Sequence, residues 1–223
     1  MKKSILFIIL VTMAISGASA QNIFFPVKEG MTLVYANLNS KGKADSYTRQ
    51  TIQKVEGAGD NLTVSYLALP LDNNRRPLIT SGITYTVSIV NGIVEWDMKS
   101  YAAPGTIGAI EIEGDKLRIP PTLVPGVKLD DVSFTLTVNL GFKIKTAILL
   151  SDQECLAIED ITVPAGTFKC YKVTQTSNAT IGRRTAETKS INWYAPGIGT
   201  VKTESYDAKG KLQSGTELQS VEN

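Results

Sequence analysis

The stretch that most constrains this chain runs from Thr84 to Met98, because a single turn within it fixes where every side chain points. Asn91-Gly92 is the strongest short-range hairpin signal, since both central residues of a type I′ turn need positive φ. With a two-residue loop there, Val90 falls opposite Ile93, Ile89 opposite Val94, Val87 opposite Trp96 and Tyr85 opposite Met98. One face then carries Tyr85, Val87, Ile89, Val94, Trp96 and Met98, and the other Thr86, Ser88, Glu95 and Asp97. Burying six such side chains at roughly 1.5 to 3 kcal/mol each yields about 9 to 18 kcal/mol. A whole domain's net stability is about 5 to 15 kcal/mol, so the remainder of the chain must cover this face.

The first twenty residues have a different logic. Met1-Lys2-Lys3 is a short basic start, Ser4 to Gly17 an apolar core, and Ala18-Ser19-Ala20 a small-residue cleavage site before Gln21. This is the pattern of a secretory signal peptide cleaved after Ala20. A spanning helix needs about 20 apolar residues, more than this run supplies, so no transmembrane span is expected after cleavage. No cysteine stands at the cleavage site to carry a lipid. The mature chain, residues 21–223, is expected in the periplasm or outside the cell as a single all-β domain. Lys2 and Lys3 leave with the leader, taking the 23 basic residues to 21 against 21 acidic. Such a balance supplies no electrostatic reason to seek nucleic acid. The sequence contains no histidine, which removes the usual general base and the commonest metal ligand. No cofactor is expected.

Along the chain, alternating apolar and polar residues recur between turn signals. Expected strands run through Met31 to Leu38, Ser46 to Val55 and Leu62 to Leu71. The second is polar on both faces, which suits an edge strand. Asp72 to Pro77 is a loop whose Arg75-Arg76 pair is expected to be solvated. Lys99 to Asp131 is the least regular region, with Pro104, Pro120, Pro121 and Pro125, and short strands near Ala109 to Glu113 and Lys116 to Ile119. From Ser133 the alternation is purest: Phe134, Leu136, Val138, Leu140, Phe142, Ile144 and Ile148 share one parity through Gly141. Either one strand bends at that glycine or an odd-length loop joins two strands. Further strands extend to Val221. Roughly ten to twelve strands at this spacing, without an amphipathic helix, predict an antiparallel β-barrel or a strongly curved two-layer β-sheet.

The carboxyl-terminal third contains Thr162-Val163-Pro164-Ala165-Gly166-Thr167-Phe168-Lys169-Cys170-Tyr171, then Trp193-Tyr194-Ala195-Pro196-Gly197-Ile198-Gly199-Thr200, then Glu204-Ser205-Tyr206 and Gly210-Lys211-Leu212. This pattern resembles exported proteins of Bacteroidota in a domain-of-unknown-function family labelled TapB-like. The resemblance implies an extracytoplasmic, mostly antiparallel β domain with no established activity and no catalytic residues to carry over. Its motifs are turn and core signatures, and Cys155 departs from the single cysteine of its members.

Few residues offer chemistry. If Ala165-Gly166 is the loop of its hairpin, Cys155 and Cys170 fall about six residues, or roughly 20 Å, out of register. That exceeds the ~7 Å reach of a disulfide, so two buried free thiols are expected. Glu111 and Glu113 would share a strand face, where paired carboxylates can act as acid and base, although alternating charge on a solvated strand has the same pattern. Trp96 and Trp193 are candidate walls of a ligand cavity, with Tyr85, Met98 and Phe134 as further lining. The first functional reading is a non-catalytic binding or carrier module whose inward faces hold an apolar or amphipathic small molecule. The second is an interaction domain that docks an envelope protein through an edge such as Ser46 to Val55, or through the Lys99–Asp131 region. A carboxylate-dependent hydrolase is third.

Overall fold

In a computed structural model, which describes residues 22–98, 109–140 and 142–222, the Asn91-Gly92 turn does what its sequence predicts. Asn91 and Gly92 adopt φ of 51° and 76°, and β4 (Ile83–Val90) pairs with β5 (Ile93–Trp96) through Val90–Ile93, Ile89–Val94 and Ser88–Glu95. The ladder stops there, short of the expected Val87–Trp96 and Tyr85–Met98 pairs, and Trp96 pairs on its other side with Leu117. Val87, Ile89 and Val94 are fully buried. The expected leader, residues 99–108 and Gly141 lie outside the described residues.

The other strands are β1 (Thr32–Asn39), β2 (Ala44–Ala58), β3 (Asn61–Leu71), β6 (Ala109–Gly114), β7 (Leu117–Ile119) and β8 (Val132–Asn139). They continue with β9 (Lys143–Val163), β10 (Gly166–Ile181), β11 (Arg184–Ala195), β12 (Gly199–Asp207) and β13 (Leu212–Glu222). All belong to one 13-stranded sheet in the order β6-β8-β9-β10-β11-β12-β13-β1-β2-β3-β4-β5-β7. Every ladder is antiparallel, as short sequential connections require.

The sheet is not closed into a barrel: its edge strands β6 and β7 do not pair. Yet they are consecutive in the chain, and only Asp115 and Lys116 separate them. Three residue steps span at most about 11 Å, so the sheet curls until its two ends nearly meet at this seam. The segment before β1 gives the same result independently. The Phe24 ring packs edge-on against Tyr171 of β10 at 5.0 Å, while the next residue, Phe25, touches Trp96 of β5 at 5.9 Å. Strands β10 and β5 are eight places apart in the sheet, about 38 Å if it were flat. Two neighbouring side chains reach both only because the sheet wraps around them.

Residues 22–30 therefore form a strap whose middle, Phe24 to Pro26, is buried in the interior and whose end, Lys28 to Gly30, is exposed. Its backbone is held at one end by the Gly197 N–H, which donates to the Ile23 carbonyl at 2.7 Å, and at the other by the Gly30 N–H on the Ile52 carbonyl at 2.9 Å. Gly199 lies beneath it with φ of +83°, where an added Cβ would stand 3.3 Å from the Phe24 carbonyl oxygen. The Trp-Tyr-Ala-Pro-Gly-Ile-Gly motif is thus the cradle of the strap.

Three expectations are corrected. β2 is no edge strand: it pairs with β1 on one side and β3 on the other. Its second polar face is explained by what it lines, described below. The β9–β10 turn is Pro164-Ala165, with Gly166 opposite Val163 at φ of +130°, so the register differs by two residues from the expected one. The parity from Phe134 to Ile148 survives because β8 and β9 are two strands paired as a hairpin, with Asn139 opposite Lys143 and Phe134 opposite Ile148. That face does not meet Trp96 across a shared interior. Phe134 and Ile148 pair with each other, half-buried, while Leu140 and Phe142 at the loop are 47% and 66% exposed.

Candidate functional site

Between the strap and the inner wall of β1–β3 lies a cavity of about 270 Å³. Its apolar part includes Phe24, Pro26 and Ile198 together with three aromatic residues supplied by separate elements: Phe25 of the strap, Tyr66 of β3 and Trp96 of β5. Their rings are mutually braced, Phe25 lying 5.7 Å from Tyr66 and 5.9 Å from Trp96. The polar part comes from alternation. Tyr35 and Asn37 project from β1, Thr48 and Gln50 from β2, Thr203 from β12 and Thr216 from β13. Cross-strand pairing brings these to one face: Tyr35 opposite Thr48, Asn37 opposite Thr216, and Thr203 opposite Thr216. β2 is polar on its inward face because Thr48 and Gln50 border this space.

Among the described residues, no charged side chain lines the cavity. Asn37 donates its amide to the hydroxyls of Ser46 and Thr48 at 3.0 and 3.2 Å, and the Thr203 hydroxyl donates to the Asn192 carbonyl oxygen at 3.0 Å. Among the described residues, the Tyr35 hydroxyl, the Gln50 amide and the Thr216 hydroxyl make no side-chain hydrogen bond. Tyr35 is 8% exposed and lines the cavity. Burial, reinforced by neighbouring Tyr66, holds the Tyr35 phenol above its ordinary range. It therefore stays a neutral O–H donor. The site can hold a neutral molecule by apolar contact and hydrogen bonding; an ion would enter without a counter-charge.

Of the residues singled out from the sequence, Trp96 lines this cavity and Tyr85 stands behind it, its ring 5.5 Å from Tyr66. Met98 lies just past β5, half-buried. Phe134 borders a different concavity, of about 450 Å³, with Glu113, Ala147 and Asn178. Trp193 is 5% exposed and lines neither. Its indole N–H donates to the Glu159 carboxylate at 2.7 Å, and the Lys172 and Lys202 ammonium groups lie 5.5 and 5.3 Å from its ring centre. The Trp193 hydrogen bond, together with Lys172, holds the Glu159 carboxyl below its usual range. Tyr35, Gln50, Tyr66 and Thr216 were missed by the sequence reading, which followed apolar faces and had no reason to prefer one polar face over another.

Glu111 and Glu113 do share a face of β6, and both are exposed. Cys155 and Cys170 are buried and free; Cys170 pairs with Glu159 while Cys155 pairs with Val173. The three-residue offset along β10 is about 10 Å. In the Asp72–Pro77 loop, Arg76 forms an ion pair with Asp72 at 2.8 Å, and Arg75 stacks over the Tyr47 ring at 4.7 Å. A larger cleft of about 730 Å³ follows the seam, lined by Lys116, Arg118 and Lys128 as well as Asp115, Asp130 and Asp131. Lys116 and Arg118 are both committed to Glu95, each at 2.8 Å.

The search of curated proteins gives no match. Among solved structures, the chain is similar to a protein described as exported, with a YmcC-like fold, from Bacteroides fragilis: 25% identity, TM-score 0.72, covering 91% of this chain and 100% of that one. It is also similar to a protein described as a lipoprotein from Parabacteroides distasonis, at 24% identity and TM-score 0.74, covering 90% of this chain and 99% of that one. The family model described as DUF3108-like matches residues 28–218, from the end of the strap to the last buried leucine of β13, and the chain belongs to the DUF3108-like family.

Proposed function

We propose that this protein is an exported, non-catalytic binding module that takes a small amphipathic molecule into the cavity between the strap and β1–β3. The observation that carries this reading is the composition of that 270 Å³ space: braced aromatic rings on one side, neutral donors and acceptors on the other, and no charge among the described lining residues. Small-molecule sites combine a mostly apolar wall with a few placed polar groups in this way. Export is supported by the leader-like first twenty residues and by relatives described as exported or as lipoproteins. The TapB-like label, the finer form of the resemblance, brings no activity with it. Native mass spectrometry of the protein purified from an envelope extract tests the reading: a co-purifying small molecule is expected, and a spectrum of bare protein alone would refute it.

A second reading is favoured by the position of β6 at the sheet edge among the described residues and by the exposed Leu140 and Phe142 beside the β8–β9 turn. An envelope protein that adds a strand to β6 would cover both. Crosslinking in intact cells that returns only monomer would remove it.

A further inference from the structure

From the same cavity we infer that the ligand is a neutral sugar ring, either a free saccharide or the terminal residue of a glycan. This rests on the binding reading above and names its chemistry. A pyranose has an apolar C–H face and a rim of hydroxyl groups that both donate and accept. The cavity mirrors it: Trp96 and Tyr66 supply aromatic surface, while Tyr35, Gln50, Asn37 and Thr216 supply hydrogen-bonding groups from three strands.

Three observations discriminate against other occupants. First, among the described residues the lining contains no lysine, arginine, aspartate or glutamate, so against these walls a carboxylate, phosphate or ammonium ligand would be desolvated without compensation. Second, Tyr35, Gln50 and Thr216 present polar groups to the cavity, and among the described residues no buried side-chain polar atom is left without a partner. An acyl chain would cover those three groups without offering a hydrogen bond, which costs more than the contact returns. Third, about 270 Å³ falls just below the ~300–1,000 Å³ usual for ligand pockets, which accommodates one ring and not an extended lipid tail.

Saturation-transfer NMR on the mature chain tests the inference. The probes are the methyl glycosides of glucose, galactose, mannose and N-acetylglucosamine, with glucuronate as the charged control and decan-1-ol as the apolar, uncharged one. Transfer from at least one neutral glycoside and none from glucuronate is expected. Tyr35→Phe, which removes only the hydroxyl, should weaken that binding about fivefold, and Gln50→Leu by a similar factor. Near-ultraviolet circular dichroism checks the fold, and Tyr35→Phe carries the test if Gln50→Leu is misfolded. Tighter binding of maltotriose or chitotriose than of the matching glycoside points to a glycan end; equal binding points to a free sugar, and either supports the inference. Binding of decan-1-ol without any glycoside overturns the sugar and preserves the binding module. Glucuronate binding as well as the neutral glycosides overturns the argument from charge. No transfer from any probe, with a bare native mass spectrum, overturns both.

Discussion

Phe24→Ala probes the claim on which the architecture turns, that the strap is core and not a lead-in. Phe24 is fully buried and its ring meets Tyr171 at 5.0 Å with an interplanar angle of 78°. Truncating a buried phenylalanine costs about 3–5 kcal/mol, the lost transfer energy plus the cavity left behind. About 0.5–1.5 kcal/mol of this belongs to the edge-on ring pair. Against a net stability of about 5–15 kcal/mol the loss is a large fraction, and at about 2–4 °C per kcal/mol for a domain of this size the melting temperature should fall by about 6–20 °C. Urea titration followed by circular dichroism is the assay, with a lower midpoint at unchanged slope as the expected result. The double variant Phe24→Ala/Tyr171→Leu should show coupling of about 0.5–1.5 kcal/mol. A loss below about 1 kcal/mol would refute the reasoning, because a strap that can shed its deepest side chain at so little cost does not organise the sheet.

Gly199→Ala should destabilise more than Gly197→Ala: both positions have positive φ, costing about 1–2 kcal/mol for a side chain, but only at 199 does the new Cβ also press on the strap, 3.3 Å from the Phe24 carbonyl oxygen. Equal urea midpoints for the two variants would contradict the cradle. Glu95, 8% exposed, has its carboxyl held below the usual range by hydrogen bonds from Lys116 and Arg118, which outweigh burial. A depressed folded-state pKa contributes stability that is present above the unfolded value of about 4.3 and is lost as pH falls through the folded one. Glu95→Gln should therefore be less stable than the parent at pH 7, by about 1–3 kcal/mol, with the gap closing below about pH 4, as thermal melts at both pH values would measure. Burial, aided by Asp160 and Glu159, pushes the Cys170 thiol up to about 11, so both cysteines should resist a thiol reagent in the native protein and titrate as two thiols in denaturant. Recovery of none would indicate a disulfide.

What the sequence disclosed follows the range over which each signal acts. The β4–β5 register was legible because Asn91-Gly92 encodes its own turn, and the inward set Val87, Ile89 and Val94 followed from it. The β9–β10 register slipped by two because Pro164-Ala165 and Ala165-Gly166 are both plausible two-residue turns, and tertiary contacts decided between them: the Ala165 N–H reaches the Leu218 carbonyl at 3.3 Å. β2 was misplaced at an edge because a polar side chain facing a wet cavity and one facing bulk solvent follow the same alternation. The same ambiguity hid Gln50 and Thr216 from any list of site residues. Trp96 was found because a large aromatic on an apolar face announces itself. The seam was beyond reach: that β6 and β7, two residues apart, would seek partners on opposite ends of one sheet is settled by β8 and β5, not by their own residues.

The strap also imposes a timetable. Asn22 and Tyr171, which meet at the Phe24 end of the strap, are 149 positions apart in the chain, and closing a loop of that length costs about 4 kcal/mol of chain entropy. In a polypeptide threaded through a membrane amino end first, Phe24 and Phe25 would emerge early and wait, with no counterpart, until β10 and β11 had followed. Burial of the strap thus depends on strands drawn from the far end of the chain, so its aromatic side chains gain their full cover only when β10 and β11 are in place.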